Sequence, residues 1–199
     1  MTQSKSQSVK IHPTSFISSD TQLDVDVEIG PYTVIQGQVQ IGKGTIIEGH
    51  VSIGSRSGIV KIGEKNHIFP GAAVGGPPQD LSYKGDATQL VIGNGNTIRE
   101  FTTLNIASTK HQCVTRIGNN NYLMAYTHVG HDCQLGSNIT MANNSILGGH
   151  VEIEDNVVIS AMCGVNQFCK IGKFSFLAAG SEVNKDVLPF SKAHGKFAV

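Results

Sequence analysis

Ile29-Gly30-Pro31-Tyr32-Thr33-Val34-Ile35-Gln36-Gly37-Gln38-Val39-Gln40-Ile41-Gly42-Lys43-Gly44-Thr45-Ile46-Ile47 returns to an aliphatic residue at every sixth position. Toward the N-terminus the beat continues through Leu23, Ile17 and Ile11, and toward the C-terminus through Ile53 and Ile59. It restarts at Ile62, Ile68 and Val74, and again at Ile92, Ile98 and Leu104. A third run goes unbroken from Ile117 through Leu123, Val129, Leu135, Met141, Leu147, Ile153, Ile159, Val165, Ile171 and Leu177 to Val183. A helical stripe repeats at 3.6 residues and a half-buried strand at two, so neither alone produces a lattice of six. A hexapeptide repeat does, and it is the signature of a β-helix solenoid.

Three hexads close one triangular coil, with branched aliphatics stacked inside. Gly follows the lattice position at Gly30, Gly42, Gly54, Gly63, Gly93, Gly118, Gly136, Gly148 and Gly172, which predicts tight turns at positive φ after each short strand. A helical solenoid is disfavoured by the same glycines and by the β-branched content. The hexads resemble the left-handed parallel β-helix family, and the handedness comes from that resemblance, because spacing alone does not supply it. The expected fold is all-β, a triangular prism.

Composition fits that expectation. Of 199 residues, 39% are hydrophobic but only 6% aromatic, with no Trp, which suits stacked layers of small aliphatics. Fifteen basic residues balance fifteen acidic ones, so nothing marks an electrostatic nucleic-acid binder. No apolar run approaches a membrane span, and the polar start lacks a signal-peptide core. Cys113, Cys133, Cys163 and Cys169 show no C-x-x-C spacing and read as free thiols, so a cytoplasmic location is expected. Residues 1–10 read as a flexible leader and 11–184 as coils, with excursion loops near 75–91 and 105–116. Insertions of this kind in solenoids map to one face, often the binding face. Residues 185–199 read as an exit segment that forms no further element, leaving the C-terminal end short of cover.

The densest chemistry lies in Tyr126-Thr127-His128-Val129-Gly130-His131-Asp132-Cys133 and Leu147-Gly148-Gly149-His150. With eighteen residues per coil, His131, Gly149 and Gln167 stack in one column at roughly the 4.8 Å spacing of neighbouring strands. By the same count His150 lies over Asp132. A neutral imidazole accepts a proton from an alcohol near neutral pH. Asp132 is placed to orient the ring, and the unobstructed N–H of Gly149 suits a developing oxyanion. Turn histidines that merely bond the backbone are the plainer reading, and the convergence of several such groups argues against it. His128 and His131, three apart, match paired zinc histidines poorly, so no metal is expected.

His128-Val129-Gly130-His131-Asp132-Cys133, Ala142-Asn143-Asn144, Leu147-Gly148-Gly149-His150-Val151, Asn166-Gln167-Phe168, Pro77-Pro78-Gln79-Asp80-Leu81 and Ile98-Arg99-Glu100 together resemble the UDP-N-acetylglucosamine O-acyltransferase family. The resemblance runs from about Ile11 to the last residue. It implies a homotrimer that transfers a hydroxyacyl chain from acyl carrier protein to the glucosamine 3-hydroxyl of a UDP-sugar, the first step of lipid A synthesis, with no cofactor. It casts His131 as general base, Asp132 as its carboxylate and Gly149 as oxyanion donor. It casts Gln79, Asp80, His128, His150, Asn166 and Gln167 as substrate contacts and Ala179 as the residue limiting acyl length. Departures are Asn166 for a usual His, Ser82 for a common Lys, and Asn105-Ile106-Ala107 for a frequent His-Arg-Gly run. The family's C-terminal helical domain is not in this sequence, which implies weaker nucleotide binding. A related sugar-nucleotide N- or O-acyltransferase with another acceptor or a coenzyme A donor, and a weak or inactive trimeric scaffold, are the competing functions.

Overall fold

The computed structural model describes residues 8–110 and 112–198, with the backbone alone for 197 and 198. Most of the leader read over residues 1–10 therefore lies outside the described residues. Its last three residues do not, and Lys10 opens the first strand, Lys10–Ile11, and pairs with Glu28. All strands pair in parallel in three sheets of ten, ten and eight strands, and no helix occurs among the described residues. These sheets are the faces of a left-handed parallel β-helix. A typical pass contributes a two-residue strand to each face, such as Tyr122–Leu123, His128–Val129 and Gln134–Leu135.

The six-residue lattice is the core. Ile35, Ile47, Ile53, Ile68, Ile98, Leu104, Leu123, Val129, Met141, Leu147 and Leu177 are all buried. Leu123 sits between Ile98 and Met141 in register. Leu123→Ala is expected to cost about 2–5 kcal/mol, because a rigid stack collapses poorly around a cavity. A loss of unfolding free energy, measured in urea, smaller than about 1 kcal/mol would show that the coils relax to fill it.

One lattice hit is accidental. Ile59 pairs with Gln38, whereas the core partner of Ile41 is Ile62, because a three-residue insertion lengthens that coil. Val60 over Val39 extends the packing there, both fully buried. Two larger insertions follow. Register partners stand 30 residues apart between Asn66 and Asn96 and 25 apart between Thr103 and His128, returning to 18 between Asn121 and Ile139. The excursions are shorter than their sequence limits, since Ala73–Gly76, Gln89–Ile92, Thr103–Asn105 and Val114–Ile117 are strands.

Two expectations are corrected. The chain does not simply exit after Val183: Val187 bridges Ile171, Lys192–Ala193 pairs with Phe176–Leu177, and Lys196–Ala198 pairs with Glu182–Val183. After Val183 the chain thus rejoins all three faces without an aliphatic hexad. The inward-facing residues of this last pass, Val183, Val187 and Ala193, are buried, whereas Ile11 in the N-terminal coil is 49% exposed.

The glycines after the lattice position also work differently. Apart from Gly54, with φ +84°, none of those nine is in the left-handed region. They are small because the next coil is close: a Cβ on Gly148 would lie 2.8 Å from the Gln167 backbone nitrogen. The left-handed residues come two positions later and are mostly side-chain-bearing, among them Tyr126, Asp132, Asn144, His150 and Phe168. Asn and Asp tolerate that region better than most residues. Here the stacked coils hold aromatics in it too.

Candidate active site

The corner between the second and third faces carries the cluster. At Asp132, His150 and Phe168, φ is 62°, 62° and 67°, so three successive coils present their side chains at one edge. The His150 and Phe168 rings stack at 4.6 Å and 12°. One residue earlier in each coil stand His131, Gly149 and Gln167. The His150 N–H donates to the His131 carbonyl at 2.9 Å, and that of Phe168 to the Gly149 carbonyl at 3.2 Å, so the column read from coil length is present.

His131 Nδ1 lies 2.8 Å from Asp132 Oδ2, and the two side chains are 16% and 1% exposed. The same Oδ2 accepts the Ser108 backbone N–H at 2.9 Å, and the Asp132 N–H donates to Thr115 Oγ1 at 2.8 Å. His150 Nε2 is 3.7 Å from that oxygen, with its ring edge-on to His131 at 5.2 Å. Burial pushes the Asp132 carboxyl up, but hydrogen bonds from His131 and Ser108 and the charge of His150 outweigh it, leaving it below the usual carboxylate range. Asp132 thus stays ionised and directs the lone pair of His131 Nε2 away from itself.

The His131 ring lies over Gly149: a Cβ there would sit 2.7 Å from Cε1 and 2.8 Å from Nε2. Among the described residues the Gly149 N–H makes no backbone hydrogen bond, which leaves a donor beside the imidazole. His128 Nδ1 bonds Thr103 Oγ1 at 2.7 Å. Burial, then the charge of His131, hold the His128 imidazole below its ordinary value, so it is neutral at pH 7. Burial drives the Cys133 thiol up to about 12, so it offers no competing thiolate nucleophile.

Two clefts flank this corner. The larger, about 720 Å³, contains Gln79, His128, His131, Gly149, Asn166 and Gln167. The smaller, about 440 Å³, is lined by Lys110, Gln112, Asp132, Gln134, His150, Glu152 and Phe168. Phe168 borders both. Asp80 lines neither; its carboxylate is fixed by Lys110 Nζ at 2.7 Å and by the Ser82 N–H and hydroxyl at 2.9 and 2.8 Å. The Lys110 ammonium, then Ser82, hold the Asp80 carboxyl well below its ordinary range. Ala179 is also outside both clefts, exposed at the corner between the first and second faces.

Sequence reasoning missed Ser108, Thr115, Lys110, Phe168 and Asn184, the last of which lines the larger cleft. Phe168 and Asn184 were within reach of the eighteen-residue count, from His150 and Asn166. Ser108 and Lys110 lie on an excursion, where no register applies. Ligating atoms of His131, Asp132 and His150 fall within 4.8 Å of one another, close enough for an ion. The distances among them are those of a hydrogen-bonded acid–base pair with a second imidazole alongside.

A parallel β-helix with a carboxylate-backed histidine against a glycine corner defines a hexapeptide-repeat acyltransferase. Residues 115–149 match the family model for the bacterial transferase hexapeptide (six repeats). The acyl-[acyl-carrier-protein]–UDP-N-acetylglucosamine O-acyltransferase of Herminiimonas arsenicoxydans is 49% identical over 189 residues, 95% of this chain and 71% of that protein. That of Halorhodospira halophila is 45% identical over 96% of this chain and 72% of its own length. The UDP-N-acetylglucosamine acyltransferase structure from Campylobacter jejuni superposes with a TM-score of 0.90 at 41% identity, covering 95% of this chain and 73% of that one. The chain belongs to the acyl-[acyl-carrier-protein]–UDP-N-acetylglucosamine O-acyltransferase family.

Proposed function

We propose that this chain transfers a (3-hydroxy)acyl group from acyl carrier protein to the glucosamine 3-hydroxyl of UDP-N-acetylglucosamine, with His131 as general base. The observation that carries the reading is the His131–Asp132 pair, 2.8 Å apart, with its ring laid over Gly149 inside a cleft. Donor and acceptor follow the names of the relatives.

The chemistry balances on these residues. His131 Nε2 takes the hydroxyl proton as the oxygen attacks the thioester carbonyl. The tetrahedral oxyanion receives the Gly149 N–H, and Asp132 stabilises the imidazolium. Collapse breaks the carbon–sulfur bond and expels the carrier thiolate, which takes the proton from the His131 imidazolium and leaves as the thiol. Asparagine amides at Asn166 and Asn184 line the same cleft and suit a polar group near the start of the acyl chain. Gln79, His128 and Gln167 bind and orient the substrates there, with Asp80 and His150 acting from the loop and the neighbouring cleft. No cofactor or metal enters the scheme.

The reading includes a homotrimer in the cytoplasm. The exposed corner carrying Ala179 then faces the cleft of an adjoining subunit and limits acyl length. Each buried methylene is worth about 0.8 kcal/mol, so the longest chain that fits is preferred. Ala179→Met is expected to shorten the preferred donor by several carbons in competition assays, and an unchanged donor profile would place the limit elsewhere. The reaction itself is tested by offering labelled acyl groups on acyl carrier protein and on coenzyme A to a panel of UDP-sugars. Transfer from the carrier to UDP-N-acetylglucosamine supports the proposal. Preference for coenzyme A or another acceptor favours the related acyltransferase reading.

A further inference from the structure

Lys110 is the one residue lining the smaller cleft that carries a fixed positive charge among the described residues. The carboxylates around it are accounted for. Asp132 is buried and bonded to His131 and Ser108, and Glu152 lies 3.2 Å from Lys170 Nζ. Asp80 lies against Lys110 itself, at 2.7 Å. A Lys ammonium has three N–H donors, so Asp80 takes one and leaves two for another anion.

The lysine is also held at a set place relative to the chemistry. Its N–H donates to Ser108 Oγ at 3.3 Å, and the Ser108 N–H donates to the Asp132 carboxylate at 2.9 Å. Two residues of backbone therefore connect the ammonium to the carboxylate that orients His131. The Asp80 contact fixes the free end of the side chain and ties the two excursion loops together.

Resting on the acceptor assigned above, we propose that Lys110 binds the diphosphate of the sugar nucleotide in the cleft lined by His150 and Phe168. The sugar then reaches around the Phe168 edge to His131, while the acyl chain occupies the larger cleft. The flat His150–Phe168 stack forms the apolar wall of the nucleotide side, and Lys110 neutralises the charge that Asp80, Asp132 and Glu152 otherwise repel. Charge-assisted hydrogen bonds to phosphate are the strong kind, and a lysine serves as a compact point charge.

The test is calorimetric titration of the wild type, Lys110→Met and Lys110→Arg with UDP and with uridine, alongside acyl transfer to UDP-N-acetylglucosamine. UDP affinity should fall about tenfold in Lys110→Met and recover in Lys110→Arg, with uridine binding unchanged in both. The KM for the UDP-sugar should rise by a similar factor with little change in kcat, as for a contact made equally in ground and transition states. Unchanged UDP affinity in Lys110→Met, or an equal loss for uridine, overturns the proposal; the second result marks Lys110 as a loop tether. If the wild type acylates no UDP-sugar, the functional reading itself falls, which the variants alone would not show.

Discussion

His131→Ala is expected to lose at least roughly 10²–10⁴-fold in turnover, the range that general base catalysis supplies. The loss should fall on kcat, because the proton leaves the acceptor hydroxyl only on the way to the transition state. The coils should stay stacked, since His131 sits on the corner and takes no part in the aliphatic column. A modest stability cost is expected as well. Asp132, 1% exposed, would lose the His131 donor and keep the Ser108 N–H, and leaving a buried acceptor short of a partner costs about 1–3 kcal/mol.

That cost has a pH signature with a definite sign. The folded Asp132 carboxyl lies below its unfolded value, so it contributes stability above the unfolded pKa of about 3.9 and loses it as pH falls through the lower folded value. Without His131, burial is offset less, the folded value rises and the contribution shrinks. Acid unfolding of the variant should therefore begin at a higher pH than in the wild type. A His131→Ala protein with near-normal kcat would end the base assignment, whatever its acid stability.

The aliphatic lattice made the prism legible because a core of identical layers repeats in sequence as it does in space. Coil length alone places His131, Gly149 and Gln167 in one column, and His150 over Asp132. What register could not reach were the insertions. Ser108 supports Asp132 from a loop whose path no periodicity dictates, and Ile59 fell on the beat although a three-residue insertion had moved the core position to Ile62. The turn chemistry was misassigned for a different reason. Glycine serves close approach as well as positive φ, and only the observed φ values separate the two uses. Ala179 was tied to the acyl chain through resemblance alone, and within one chain it stands at another corner from His131.

Gly149→Ala should separate catalysis from folding more sharply than any loss of a side chain. Gly149 is outside the left-handed region, so alanine meets no conformational penalty there. The obstacle is the imidazole: a Cβ would come 2.7 Å from His131 Cε1, 2.8 Å from Nε2 and 3.2 Å from Nδ1. The first two contacts are shorter than packed carbon atoms allow, so the ring must move. Its Nδ1 is anchored 2.8 Å from a buried carboxylate that Ser108 also holds, so the movement swings Nε2, the atom that takes the proton. The neighbouring N–H, placed for the oxyanion, loses its alignment with the imidazole in the same step. Misplacement of about 1 Å costs on the order of 10²-fold, and loss of an oxyanion donor 10²–10³-fold. We expect kcat to fall by roughly 10²-fold or more while Tm changes by only a few degrees, about the shift that 1 kcal/mol produces in a domain of this size. Gly148→Ala is the contrast, because its Cβ would meet the Gln167 backbone nitrogen at 2.8 Å, and backbone in the stacked coil cannot swing aside as a ring can. That variant should lose stability first, and activity only as the coil deforms. Wild-type kcat in Gly149→Ala would mean that the imidazole clears a methyl group without leaving its reactive position, and the close packing of base on glycine would then have no part in the rate.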